Sequence, residues 1–247
     1  MVSSSAMPVT KNRIAANLER IHDRIADACA RMGRDPAEVS IVAVTKAVDF
    51  ETVKSLLDAG LTDLGENRAQ QLVRRAQEME VYLQRRRNEL RRPVRWHMIG
   101  HLQRNKVRHV LTVASVIHSV DSLRLAEEIN TRAERNGQVM DVLLQVNCSD
   151  EPQKSGCAVG AATHLANLMC TLKSLRLLGL MTMAPLVEDP EQARPTFVRL
   201  RELFEEMRHE KIGGPLLQHL SMGMTQDYVV AVEEGATVLR IGTALLQ

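Results

Sequence analysis

The chain has 247 residues, near the size of one α/β barrel, and its 45% hydrophobic and 25% charged residues are those of a soluble globular domain. With 32 basic against 30 acidic side chains the net charge is +2, so no overall field draws it to nucleic acid or to a membrane. The start, MVSSSAMPVT, has neither the basic nor the apolar segment of a signal peptide, no apolar run reaches the roughly 18 residues of a membrane span, and Cys29, Cys148, Cys157 and Cys170 form no CxxC pair, so reduced thiols in a cytoplasmic protein are expected.

Residues 1–11 read as a flexible tail. The first element is a helix over 12–32, because Ile14, Leu18, Ile21, Ile25, Cys29 and Met32 recur at steps of three and four. Gly33 ends it, and Asp35-Pro36 begins a turn. The period then changes. Short apolar runs predict strands at 40–45, 62–65, 95–99, 115–119, 141–147, 175–182, 217–221 and 237–242. Helical patterns lie at 50–59, 66–90, 103–111, 121–136, 158–172, 191–210 and 225–234. Asp49 and Asp121 stand where N-caps would be, and Gly60, Gly137 and Gly235 where helices would end.

Eight strands alternating with helices predict a single (β/α)8 TIM barrel over 12–247 with an extra N-terminal helix; the alternative is an open doubly wound sheet of six or seven strands. The chain ends soon after the eighth strand, so the helix at 12–32 is expected to cover the gap there. Arg85, Arg86, Arg87, Arg91, Arg92 and Arg95 form a basic cluster; with no interleaved aromatic residues it reads as a solvated helix end and loop rather than a nucleic-acid site.

In such barrels the active face lies at the C-terminal ends of the strands. The residues there are polar: Lys46, Glu66-Asn67, His97 to His101, Asp121, Asn147, Thr182, the turn Ser221-Met222-Gly223-Met224-Thr225, and Arg240-Ile241-Gly242-Thr243, above strand bodies expected to be apolar. Lys46 follows Ile41-Val42-Ala43-Val44, so its stem is expected to be buried, which would lower its pKa as Schiff-base chemistry needs; a lysine snorkelling to solvent is the plainer reading. The glycine turns after strands seven and eight suit a phosphate, with amides near Thr225 contributing if a helix begins there, and closure makes strand eight the neighbour of strand one. A phosphorylated aldehyde would span the two. His97 and His101 are four apart but lie at a strand end, outside any HExxH motif, so no metal site is expected; no GxSxG elbow supports a Ser-His-Asp triad.

The runs VAVTK (42–46), LGEN (64–67), WHMIGHLQRNK (96–106), HSVDSLRLA (118–126), LLQVNCSDEPQKSG (143–156), GLMTMAP (179–185), LSMGMTQDY (220–228) and LRIGTAL (239–245), in this order, resemble the YggS/PROSC family of pyridoxal phosphate (PLP) homeostasis proteins, whose fold is that of the N-terminal barrel of alanine racemase. The resemblance implies PLP held as an internal aldimine (a Schiff base) on Lys46, with Asn67 and His97 near the ring and Arg240 facing the pyridine nitrogen. It places the phosphate on Ser221, Met222, Gly223, Ile241, Gly242 and Thr243. It further implies Lys154 at the site mouth as an exchange lysine, vitamin B6 homeostasis without appreciable catalysis, and PLP-dependent apo-enzymes as receiving partners. The chain departs from the family at Val48, where many relatives carry a second lysine, in the arginine-rich stretch 80–95, and in its ending ALLQ.

Two enzymatic readings stand beside this one. A PLP-dependent amino-acid racemase of this fold uses a second acid–base residue from a C-terminal domain, which finds no room in the five residues after 242; lacking that domain also argues for a monomer. A Schiff-base aldolase would more often carry its lysine on a later strand.

Overall fold

The computed structural model describes residues 9–46, 48–85, 90, 92–149, 151 and 154–247. Its strands are β1 (Ser40–Val44), β2 (Asp63–Glu66), β3 (Arg95–Met98), β4 (Ala114–Val120), β5 (Met140–Asn147), β6 (Cys157–Ala158), β7 (Leu175–Met181), β8 (His219–Ser221) and β9 (Val238–Ile241). All pairings are parallel, and eight strands close into a ring in the order β4-β3-β2-β1-β9-β8-β7-β5, with β5 returning to β4. The predicted (β/α)8 barrel is therefore the fold. Only β6, two residues hooked onto β5 outside the ring, has no counterpart among the predicted strands. The closing seam pairs Val42 with Arg240 and Ala43 with Ile241.

The helices are α1 (Lys11–Met32), α2 (Phe50–Asp58), α3 (Ala69–Arg85), α4 (Val107–Val110), α5 (Leu123–Arg135), α6 (Val159–Cys170), α7 (Arg194–His209), α8 (Tyr228–Glu233) and α9 (Thr243–Leu246). Thr10 caps α1 by accepting from Arg13 N, and Gly33 ends it in the left-handed region at φ 64°. Ile14, Ile21, Ile25 and Cys29 are buried as the pattern requires, whereas Met32, in the last turn, is half exposed. Asp49 caps α2 through Thr52 N at 2.7 Å. Asp121 does not cap α5: the N-cap is Ser122, and the Asp121 carboxylate lies 3.8 Å from His101 instead. Helix α1 packs on α2, α8 and α9, so it covers the seam side of the barrel. Asn17 Nδ2 donates to Leu245 O at 3.0 Å, and Arg34 donates to Val232 O and Ala236 O at 2.6 and 3.0 Å.

The main core lies between strands and helices and is mostly aliphatic. The barrel interior differs from expectation. Val116, Leu143 and Met181 form a small apolar cluster separate from the main core. The strand bodies also carry buried His97, His118, Gln145, Ser221 and Arg240. His97, His118, Ser221 and Arg240 satisfy one another across the lumen and Gln145 donates to Ser155 O, which is what makes their burial tolerable.

The four cysteines are free. Burial pushes every thiol up, Cys148 to about 11 and Cys157 to about 12, so none is a thiolate at neutral pH. Among the described residues no helix is long and apolar enough to cross a membrane. Of the arginine cluster, Arg86, Arg87 and Arg91 lie outside the described residues; Arg85 ends α3, and Arg95 stands 3.5 Å from Asp63.

Candidate cofactor site

Lys46 sits directly past β1 and Thr45, at the C-terminal rim. The expected burial of its stem is not found: Lys46 is exposed, and its amine has no hydrogen bond or ion pair among the described residues. One residue beyond the strand end, the lumen no longer encloses the side chain. The turn carrying it is tightly held. Val48 N closes it onto Thr45 O at 3.3 Å. Thr45 Oγ1 donates to Glu66 Oε1 at 2.5 Å, Gln71 Nε2 donates to Lys46 O at 3.2 Å, and Arg75 donates to Val48 O. Arg75 also pairs with buried Glu66 at 2.9 Å. Burial raises the Glu66 carboxyl against the pull of Thr45 and Arg75. Thr45, the Lys46 carbonyl and Val48 are thus held by hydrogen bonds while the Lys46 side chain is exposed.

Asn67 follows β2 at the same rim, and its Oδ1 is buried without a hydrogen-bond partner among the described residues. Gly100 lets the β3 turn press against it: a Cβ there would stand 2.2 Å from Asn67 O. Gly65 leaves space below, where a Cβ would meet Val42 Cγ1 at 2.8 Å.

The loops after β8 and β9 are stitched together. Arg240 N donates to Gly223 O at 3.0 Å, Met222 N to Val238 O at 3.2 Å, and Ala244 N to Thr225 Oγ1 at 3.2 Å. Helix α8 begins at Tyr228 and not at Thr225, because Asp227 takes the amide of Met224 at 2.6 Å and holds the intervening turn. The amides of Gly223, Gly242 and Thr243 donate to no acceptor among the described residues. Gly223 is at φ +92°, where a Cβ would also stand 2.6 Å from Ala231 Cβ. The Ser221 hydroxyl and the Met222 amide bond internally, and Ile241 is buried in the core.

Arg240 is buried beneath the rim. It donates to Ser221 Oγ at 2.6 Å and to Thr182 O at 2.8 Å. Burial pushes its guanidinium down to about 10, against the pull of Asp227, which leaves it a cation at neutral pH. Ser221 Oγ contacts His118 Nδ1 at 3.0 Å, His118 Nε2 contacts His97 Nδ1 at 2.9 Å, and His97 Nε2 contacts Asp63 Oδ1 at 2.8 Å. His97 therefore belongs to a buried chain across the lumen, while His101 is exposed at the rim. Lys154 lies 3.3 Å from Glu151 in a loop held by Asn147 and Gln145.

Sequence reasoning placed Glu66 at the rim but missed Asp63, His118, Gln71 and Arg75 as parts of this site. A histidine inside the apolar run SVIHS was a readable signal for one of them.

A closed parallel barrel with a lysine just past its first strand and glycine turns past its last two is the architecture of an alanine-racemase-type barrel. The alanine racemase N-terminal domain model matches residues 13–247. The chain is 39% identical to a pyridoxal phosphate homeostasis protein of Aquifex aeolicus, over 92% of this chain and 95% of that one. PipY of Synechococcus elongatus, solved with PLP bound, superposes with a TM-score of 0.76 at 29% identity, covering 90% of this chain and all of that one. An alanine racemase of Clostridium difficile shares the fold at a TM-score of 0.70 and 14% identity; the match covers 96% of this chain and 57% of that longer one. The chain belongs to the family of pyridoxal phosphate homeostasis proteins.

Proposed function

We propose that the protein binds pyridoxal 5′-phosphate at the C-terminal rim of the barrel, attached through Lys46, and serves cellular PLP homeostasis by holding the cofactor rather than turning over a substrate. The observation that carries this reading is three sets of groups unspent among the described residues, past the ends of the adjacent strands β8, β9, β1 and β2: the Lys46 amine, the amides of Gly223, Gly242 and Thr243, and the Asn67 side-chain carbonyl. PLP supplies an aldehyde that condenses with an amine, a phosphate, and a ring with polar substituents. Lys46 would take the aldehyde, the three amides would bind the phosphate, and Asn67 would orient the ring.

Two of the donors on Arg240 are committed to Ser221 and Thr182, and a remaining donor would face the pyridine nitrogen. An arginine holds a ring nitrogen by a hydrogen bond without surrendering a proton, which favours storage over carbanion chemistry. The relatives' names support the homeostasis part. Lys154 at the mouth would assist exchange, and PLP-dependent apo-enzymes would receive the cofactor from a monomeric, cytoplasmic carrier.

The test is a PLP titration followed by visible absorbance on wild type, Lys46→Ala, Arg240→Gln and Lys154→Ala, with an assay for D-isomers formed from L-amino acids. Expected are a bound, coloured species lost in Lys46→Ala with the fold intact, a larger loss of affinity for Arg240→Gln than for Lys154→Ala, and no D-isomer. Efficient racemisation would replace this reading with the racemase one.

A further inference from the structure

The hydrogen bonds between Arg240 and Asp63 can run in only one direction. The guanidinium of Arg240 has donors alone, so Ser221 Oγ accepts from it at 2.6 Å. At the other end, burial alone would raise the Asp63 carboxyl, but the hydrogen bond from His97 and the nearby charges of Arg95 and Arg92 outweigh it and hold the group below its ordinary value. Asp63 is thus an acceptor, and the proton between it and His97 belongs to His97 Nε2 at 2.8 Å.

Burial lowers both imidazoles, His118 well below the ordinary histidine value, so each carries one proton at neutral pH. With its proton on Nε2, His97 must accept at Nδ1, and His118 donates to it from Nε2 at 2.9 Å. His118 must then accept at Nδ1, and the hydroxyl of Ser221 donates to it at 3.0 Å. Every proton is assigned. Asp63 opens β2 at the N-terminal end of the barrel, while Arg240 lies beneath the C-terminal rim. The Ser221–His118 link crosses the lumen, because β4 and β8 are not neighbours in the ring. The other charged or titratable groups facing the chain are Arg95 and Arg92 near Asp63, Arg95 and His219 near His118, and Asp227 near Arg240.

We propose that Asp63, His97, His118 and Ser221 form a one-way hydrogen-bonded relay that positions Arg240 and couples it to the opposite face of the barrel, with Asp63 setting the tautomer of both imidazoles. His118 and Asp63 are positioning residues here. Their effect on cofactor affinity rests on the PLP reading above; the tautomers do not.

The experiment has two arms. In the first, long-range 1H–15N spectra of 15N-histidine-labelled full-length protein at pH 7.5, with no PLP added, report the ring state of each histidine. His97 and His118 are expected neutral with the proton on Nε2; an imidazolium or an Nδ1-protonated ring at either position overturns the relay. In the second, PLP dissociation constants are measured for Asp63→Ala, His118→Phe and the double variant. Each single change is expected to weaken binding about fivefold, with the double no weaker than the worse single, since groups in one network are not additive. Additive losses, or no loss, overturn the coupling. Should His118→Phe fail to fold, His118→Asn replaces it. Its side-chain oxygen keeps an acceptor toward Ser221 and cuts the link to His97, so adding Asp63→Ala in that background should change nothing. If wild type takes up no PLP, the site reading fails, and the tautomers alone decide the relay.

Discussion

Gly223 shows how much one residue constrains this site. Its φ of +92° is strained for any L side chain, and an added Cβ would lie 2.6 Å from Ala231 Cβ. Gly223→Ala is expected to destabilise the protein by about 2–4 kcal/mol, strain and overpacking together, measurable as a lower urea midpoint. An unchanged midpoint would show that the loop relaxes freely. Arg75 acts at the other side of the seam. Arg75→Leu leaves Glu66 as a buried, half-paired carboxylate and releases Val48 O. A loss of about 3 kcal/mol is expected, together with faster proteolysis at the Lys46 turn. Lys46, Gly223 and Gly242 were legible in the sequence because each stands at a break between periodic elements. The histidine in SVIHS was readable too, but the partners of His118 and Asp63 were not, because they lie on strands far apart in the chain and only closure of the ring brings them together.

At the scale of elements, the strands were readable because a parallel barrel buries each on its outer face against helices, leaving short apolar runs. The short α9 and the two-residue β6 were not, since neither has a periodic face. The late start of α8 follows from Asp227, whose carboxylate competes for the Met224 amide at 2.6 Å, a local side-chain choice that hydrophobic period cannot report. Helix α1 is fastened to the seam by polar bonds as well as by packing. Arg34→Ala removes two bonds, to the carbonyl of Val232 in the last turn of α8 and to that of Ala236 just past it. A stability loss of about 1–3 kcal/mol is expected, with faster amide exchange in α1 than in α7. Uniform exchange across the barrel would argue that α1 is held by apolar contact alone.

For the whole molecule, a lumen lined by histidines ties stability to pH. His97 and His118 have folded pKa values below the ordinary 6.5, so the folded state prefers them neutral. Their contribution is fully present above about pH 6.5 and is lost as pH falls toward their folded values, by at most about 1.4 kcal/mol per pH unit for each imidazole. Urea unfolding at pH 7.5 and 5.5 should show a lower midpoint at pH 5.5, and His118→Phe should shrink the difference. Equal midpoints in wild type would mean that the folded rings take up protons just as the unfolded ones do.

The attachment of the cofactor at Lys46 is the claim on which the functional account turns, and mass spectrometry of borohydride-reduced, protease-digested protein after PLP loading reads it directly. The account predicts the added mass on the peptide containing Lys46 and none on that containing Lys154. Label confined to another lysine, or no label on a protein that has taken up PLP, would contradict it.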